Sequence, residues 1–215
     1  MMPKVTFPID IDDVEELQSC PICEGAYFKT ISEVYLNSLN FLKTVLCTQC
    51  GFVFRQTRPS LRWFHKSWEI RKQQVSAVAQ YCEDTLIEKR RYLRYERLAR
   101  FIEDKMAGRS LLDIGSGPGT GLKAFHRRKW DVTGLEPDPS RAKVGREQHG
   151  LNILEGSIEN FHGDREGYSL VMAIHVLEHF HSPVDFMNNV VRQVENGGFV
   201  YIVRSCFFMV AFCWE

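Results

Sequence analysis

The sequence predicts an α/β chain, a doubly wound and mainly parallel sheet with a small cysteine-bearing module ahead of it. Three observations carry this reading. Leu111-Leu-Asp-Ile-Gly-Ser-Gly-Pro-Gly-Thr-Gly121 runs from apolar residues into glycines at every second position. Beyond it, apolar runs of strand length alternate with helical patterns. Near the start, Cys20-Pro-Ile-Cys23 and Cys47-Thr-Gln-Cys50 form two C-x-x-C pairs.

The 215 residues suffice for one large domain, or for a domain plus a module, and the 44% apolar content supports a packed core. Lys plus Arg equals Asp plus Glu at 27 each. No global field therefore draws the chain to nucleic acid or to an anionic membrane, and neither is an expected partner. Met1 to Asp13 holds Asp10, Asp12 and Asp13 without an apolar core segment, unlike a signal peptide. The run from Cys206 to Trp214 is too short to span a bilayer. A soluble cytoplasmic protein is expected.

Residues 1–58 read as a zinc-ribbon-like module. Each C-x-x-C can fold as a knuckle with its backbone N–H groups aimed at the thiolates, and Pro21 and Gly51 suit such turns. Four thiolates, from Cys20, Cys23, Cys47 and Cys50, match tetrahedral Zn²⁺; a closed four-sulfur shell makes the metal structural. Between the pairs, Tyr27, Ile31, Val34, Tyr35, Leu39, Phe41 and Val45 suggest short strands or a hairpin, and Phe52-Val-Phe54 is expected to continue the second strand. Cys82, Cys206 and Cys213 read as small buried apolar residues.

Residues 59–108 read as a helical linker or cap. From Ser60 to Ala107 there is no internal glycine and no proline; Leu98, Phe101, Ile102 and Met106 form a stripe at helical spacing, and Gly108 is the expected stop. Arg90, Arg94 and Arg97 fall on another, solvated face.

Residues 109–215 read as the sheet domain. Gly115, Gly117, Gly119 and Gly121 leave no β-carbons in the way of a ligand lying on bare backbone, and a helix with Leu122 and Phe125 as apolar contacts follows. The dinucleotide pattern G-x-G-x-x-G counted from Gly115 fails at Thr120. Trp130 to Glu136 is the second strand. It ends in an acid able to take both hydroxyls of a ribose, and Asp138-Pro139 then opens a helix. Asn152 to Ser157 is a third strand, and Tyr168 to His175 a fourth, apolar enough for burial on both faces. Ser182-Pro-Val-Asp185 caps a helix whose apolar side is Val184, Met187, Val191 and Val194; Asn196-Gly-Gly198 ends it before a fifth strand, Phe199 to Val203.

The acid-x-G-x-G-x-G loop with Asp113 resembles the first motif of the class I S-adenosylmethionine (SAM)-dependent methyltransferases, which have a Rossmann-like fold. Ala173-Ile-His-Val-Leu-Glu-His-Phe180 with Ser182-Pro183 resembles the "LEH" segment of a group acting mostly on small molecules, and Gly197-Gly198 matches that group's glycine pair. The resemblance runs from about Leu111 to Arg204. There are two departures from the pattern: Tyr168-Ser169 replaces a Phe-Asp opening, and Asn196 a proline. The cysteine pairs ahead of such a domain also resemble bacterial sugar-tailoring methyltransferases.

The resemblance implies SAM as methyl donor and a small-molecule or carrier-linked sugar acceptor. It implies that Asp113, Gly115, Gly117 and Gly119 surround the methionine and ribose, and that Glu136 binds the ribose hydroxyls. Ser157 and Ile158 would flank the adenine, and His175 would lie beside the sulfonium. His179, His175 and Glu178 are the candidates for a base at the cleft, with anchoring of the loop as their alternative role. His126, His149 and His162 are expected at the surface. Such enzymes continue past strand five, whereas eleven residues follow Arg204 here; a truncated version lacking part of the acceptor pocket is the expectation. Alternatives are a ribbon that docks an RNA or protein acceptor, and a SAM-binding protein without catalysis.

Overall fold

The computed structural model describes residues 13–35, 41–63, 65–66, 86–163 and 165–203, in two compact units divided between Val75 and Ser76. The apolar run from Cys206, and Cys82, Cys206 and Cys213, lie outside the described residues.

The first unit holds β1 (Val14–Glu16), β2 (Phe28–Tyr35), β3 (Phe41–Cys47), β4 (Val53–Arg55) and β5 (Thr57–Pro59). β2, β3 and β4 form an antiparallel sheet, while β1 pairs with β5. The expected hairpin is β2–β3. Phe52-Val-Phe54 does not prolong β3, however: the turn at residues 48–50 reverses the chain, so Val53–Arg55 returns antiparallel, with Val45 opposite Phe54. The core is small. Cys20, Val45, Cys47 and Phe54 are buried, with the Phe28 ring edge-on to Phe54 at 5.3 Å.

The second unit is the predicted sheet. It comprises α1 (Leu86–Glu103), β6 (Ser110–Ile114), α2 (Thr120–Arg127), β7 (Asp131–Glu136), α3 (Pro139–His149), β8 (Asn152–Glu155), β9 (Tyr168–Ile174), α4 (Pro183–Val191) and β10 (Val194–Val203). The strands order as β10-β9-β6-β7-β8 and every pairing is parallel. Successive strand residues point to opposite faces, so both faces can be buried. Leu111, Leu170 and Met172 join one core with Tyr95, Ala99 and Ile102 of α1 and Leu122 and Phe125 of α2. Their neighbours Leu112, Val171 and Ala173 join a second core with Phe186 and Val190 of α4.

Helix limits differ from the sequence reading. α1 ends at Glu103, not at Gly108, which leaves Met106 beyond it; its buried face is Tyr95, Ala99 and Ile102, while Phe101 is 64% exposed. α4 ends at Val191, and Val194 starts β10 opposite Tyr168. Its buried residues are Phe186 and Val190, one step round from the expected stripe. Burying each is worth about 1.5–3 kcal/mol, which outweighs the exposed Val184 and Val191. Arg90, Arg94 and Arg97 are exposed, as are His126 and His162, while His149 is half-buried.

Ser169, one departure from the family pattern, is buried and bonded across β6–β9. Its N–H donates to Ser110 Oγ and its Oγ accepts from Ser110 N–H, both at 2.8 Å. Among the described residues no helix is long and apolar enough to cross a membrane.

Candidate functional site

All the expected ligand-binding residues of the second unit fall at the C-terminal ends of its parallel strands or in the loops just beyond, where open α/β sheets bind ligands. Gly115, Gly117 and Gly119 have φ of 69°, 59° and 81°. In this left-handed region glycine alone is unstrained. Space is a second constraint: a β-carbon on Gly115 would lie 2.6 Å from Val176 Cγ2. The loop after β6 is thus packed directly against the exit of β9.

The loop is also tied to β7. Gly115 N–H donates to Leu135 O at 2.7 Å, and Gly117 N–H to Glu136 Oε2 at 2.7 Å. Glu136 Oε1 accepts from Asp138 N–H at 3.0 Å, with Arg141 Nη1 4.0 Å away. Asp138 is the N-cap of α3, accepting from Ser140 N–H at 2.8 Å, with Pro139 at the first position as the sequence predicts. Glu136 is therefore held rigid at the end of the second strand. Burial raises its carboxyl above the ordinary range, against the opposing pull of Arg141 and the two amides.

Asp113 lies beneath this loop, 2% exposed. Burial first, and the charge of Glu136 second, push its carboxyl up to about 8. The Tyr95 phenol is held above its ordinary value by burial, then by the Asp113 charge. Tyr95 belongs to the aromatic-rich stretch before the sheet, for which core packing is the expectation, and it lies in the first core. Arg141 is not singled out by the sequence, because it comes from a helix whose periodicity says only that one face is buried.

Ser157 and Ile158 follow β8 and open a 3₁₀ turn, Ile158–Asn160. The Ile158 side chain is fully buried in the second core, so Ser157 and the local backbone are what this turn can offer a ligand. At the β9 exit, His175 has φ 57° and donates its N–H to Val203 O at 2.7 Å. This backbone costs a residue with a β-carbon about 1–2 kcal/mol, and such outliers concentrate at functional sites. His175 Nδ1 lies 3.6 Å from Glu178 Oε1, and the His175 ring is half-exposed. His179 is exposed at the end of the 3₁₀ turn Leu177–His179, its N–H donating to Val176 O at 2.9 Å. Of the three base candidates, His175 and Glu178 are brought together.

In the first unit the sulfurs of Cys20, Cys23, Cys47 and Cys50 all lie within 4.8 Å of one another. Cys20 to Cys50 is 3.7 Å and Cys23 to Cys47 is 3.6 Å. A tetrahedron with metal–sulfur bonds of about 2.3 Å has sulfurs about 3.8 Å apart, so this set suits zinc. Two matching turns build it, with Glu24 N–H bonded to Cys20 O and Gly51 N–H to Cys47 O, both at 2.9 Å. Backbone N–H groups of Cys50 and Gln49 draw the Cys47 thiol down to about 7. Cys23 is instead pushed up to about 12, against a backbone hydrogen bond from Gly25, by burial and the neighbouring sulfurs, and Cys50 is also raised. It is the distances between the sulfurs that suit a metal.

A methyltransferase-domain family model matches residues 86–206. The chain is 30% identical over 99 residues to the mitochondrial ubiquinone biosynthesis O-methyltransferase of Schizosaccharomyces pombe, covering 43% of this chain and 36% of that protein. It is 30% identical over 114 residues to the phthiotriol/phenolphthiotriol dimycocerosates methyltransferase of Mycobacterium leprae, covering 48% of this chain and 40% of that protein. The chain thus spans about two fifths of the length of the curated relatives it matches. Among solved structures, the plantazolicin methyltransferase BpumL in complex with SAH shares the fold, with a TM-score of 0.55, 19% identity, and 69% of this chain and 59% of that one covered. The matched segment takes in the whole parallel sheet, the glycine loop and the β9 exit, and the chain belongs to the methyltransferase-domain family.

Proposed function

We propose that the chain is a SAM-dependent methyltransferase acting on a small metabolite or carrier-linked sugar. The observation that carries this reading is Glu136, fixed by Gly117 and Asp138 at the end of the second strand beside a loop of left-handed glycines. Each carboxylate oxygen keeps a lone pair for a ribose hydroxyl after accepting its amide. Asp113, Gly115, Gly117 and Gly119 take the methionine and ribose side, and Ser157 with the Ile158 backbone takes the adenine side. The relatives named above are called a ubiquinone biosynthesis O-methyltransferase and a phthiotriol/phenolphthiotriol dimycocerosates methyltransferase, and the balanced net charge supplies no global attraction for nucleic acid.

When bound, SAM supplies a methyl group already activated by its sulfonium charge. The chain's contribution is then alignment of the acceptor in line with that methyl, which can be worth about 7–11 kcal/mol. For a hydroxyl acceptor, His175 takes the proton released as the oxygen–methyl bond forms, and Glu178 steadies the resulting imidazolium. His179 anchors the exit turn or serves in place of His175.

We propose that Cys20, Cys23, Cys47 and Cys50 hold one structural zinc ion. The first unit's core is too small to fold by apolar burial alone, and a four-thiolate zinc site supplies folding free energy directly.

Calorimetry with SAM, SAH and NAD tests the donor. Binding of SAM and SAH without NAD is the expected result, and NAD binding in the absence of SAM binding would sink the reading. Incorporation of labelled methyl from SAM into a pool of small metabolites, but not into RNA or protein, then tests the acceptor class.

A further inference from the structure

We infer that Glu88 of α1 is a positioning residue for the cofactor loop, acting through Thr120; this rests on the SAM reading above. α2 begins directly after Gly119, with Gly121 inside its first turn. Its N-cap is Gly119, with no side-chain cap, and its first turn contains no acid. Its first-turn amides and the positive end of its dipole thus lack the side-chain cap that α3 finds in Asp138 and α4 in Ser182.

The missing group comes from another helix. Glu88 is 6% exposed, and its Oε2 accepts from Thr120 Oγ1 at 2.6 Å. Its Oε1 is held by Arg91 Nη1 at 3.0 Å, one turn further along α1. A buried carboxylate is thereby fixed beside the first residue of α2, where a helix favours negative charge. Seven residues on from Glu88, on the same face of α1, Tyr95 packs over the next position: a β-carbon on Gly121 would stand 2.3 Å from its ring. α1 therefore grips Thr120 and Gly121 together, at the C-terminal end of the loop.

Upstream, the N–H groups of Gly115, Ser116 and Gly117 are tied to β7, and Gly119 N–H donates to Ser116 O at 3.1 Å within the loop. Gly119, in the left-handed region, stands directly before Thr120. Glycine-rich backbone costs more entropy to hold than any other. If Glu88 releases Thr120, the C-terminal end of the loop loses its hydrogen bond to α1 and relies on the packing of Gly121 and Leu122. A ligand that lies on its backbone must then supply more of the ordering itself.

The test is titration of the full-length chain with SAM, well below the melting temperature, alongside a thermal melt of each variant. Thr120→Val and Glu88→Ala should each weaken SAM binding about tenfold, the worth of one hydrogen bond to a charged group. The double variant should be no weaker than the worse single, because both remove the same contact. Thr120→Ser keeps the hydroxyl and should bind within about twofold of the parent. Glu88→Gln keeps an acceptor without the charge and should fall between. If Glu88→Ala does not fold, the half-exposed Thr120 still allows the Val and Ser comparison.

Lower melting temperatures with unchanged SAM affinity in Thr120→Val would overturn the inference, since Glu88 would then be structural only. A parent chain that binds no SAM at all overturns the donor reading as well, and is a distinct result.

Discussion

Gly117 N–H points at Glu136 Oε2 across 2.7 Å, so the middle of the glycine loop and the end of the second strand form one rigid unit. The same carboxylate takes the amide of Asp138, which in turn caps α3. The three segments that meet at the C-terminal edge of the sheet are thus coupled through a single side chain.

Glu136→Ala should weaken SAM binding by about thirtyfold or more, because it removes the ribose acceptor and leaves two amides unpaired, at roughly 1–3 kcal/mol for each that is buried. Calorimetry reads the loss directly. Binding within threefold of the parent would show that Glu136 serves the fold and not the ligand.

Stability should fall as pH rises, in a window set by Asp113. Its carboxyl is pushed up to about 8 in the folded chain by burial and by Glu136, from an unfolded value near 3.8. The folded state therefore holds the proton more tightly, and unfolding free energy declines from about pH 4 through about pH 8. Glu136 is shifted in the same direction and adds to the decline. Denaturant titrations at pH 5, 7 and 9 should show a shallower slope for Asp113→Asn.

His175→Gly should raise stability while reducing methyl transfer. Glycine relieves the left-handed backbone at φ 57°, a cost of about 1–2 kcal/mol, partly offset by its greater freedom when unfolded. A net gain of about 0.5–1 kcal/mol is expected in denaturant melts. Loss of stability would mean that the ring contributes more by contact than the backbone loses by strain.

Metal analysis should find about one zinc per chain, and Cys47→Ser should abolish it, consistent with four thiolates in one tetrahedral shell. Limited proteolysis after chelation should digest residues 13–63 first and leave the sheet unit folded, because the two units have separate cores. Simultaneous digestion of both would contradict independent folding.

The central strands of the parallel sheet were legible because they are buried on both faces and mostly apolar, as in Tyr168–Ile174. Caps with strong local chemistry were also legible: Asp138-Pro139 and Ser182-Pro183 open helices where the sequence places them. Amphipathic faces were not. Val184, Val191 and Phe101 satisfy a helical stripe yet remain exposed, because a period fixes the spacing of a face and neighbouring elements choose which face is covered.

Within the candidate site, the sequence by itself determined the glycine loop, the acids Asp113 and Glu136, the β9 exit and the four cysteines, since each depends on local backbone chemistry or a short motif. Only the tertiary structure decided that Glu136 is held by Gly117, that His175 carries the strained backbone, and that Glu88 reaches Thr120 from 32 residues away. Those relationships join segments far apart in the chain. Their energies come from burial and distance, which no local pattern encodes.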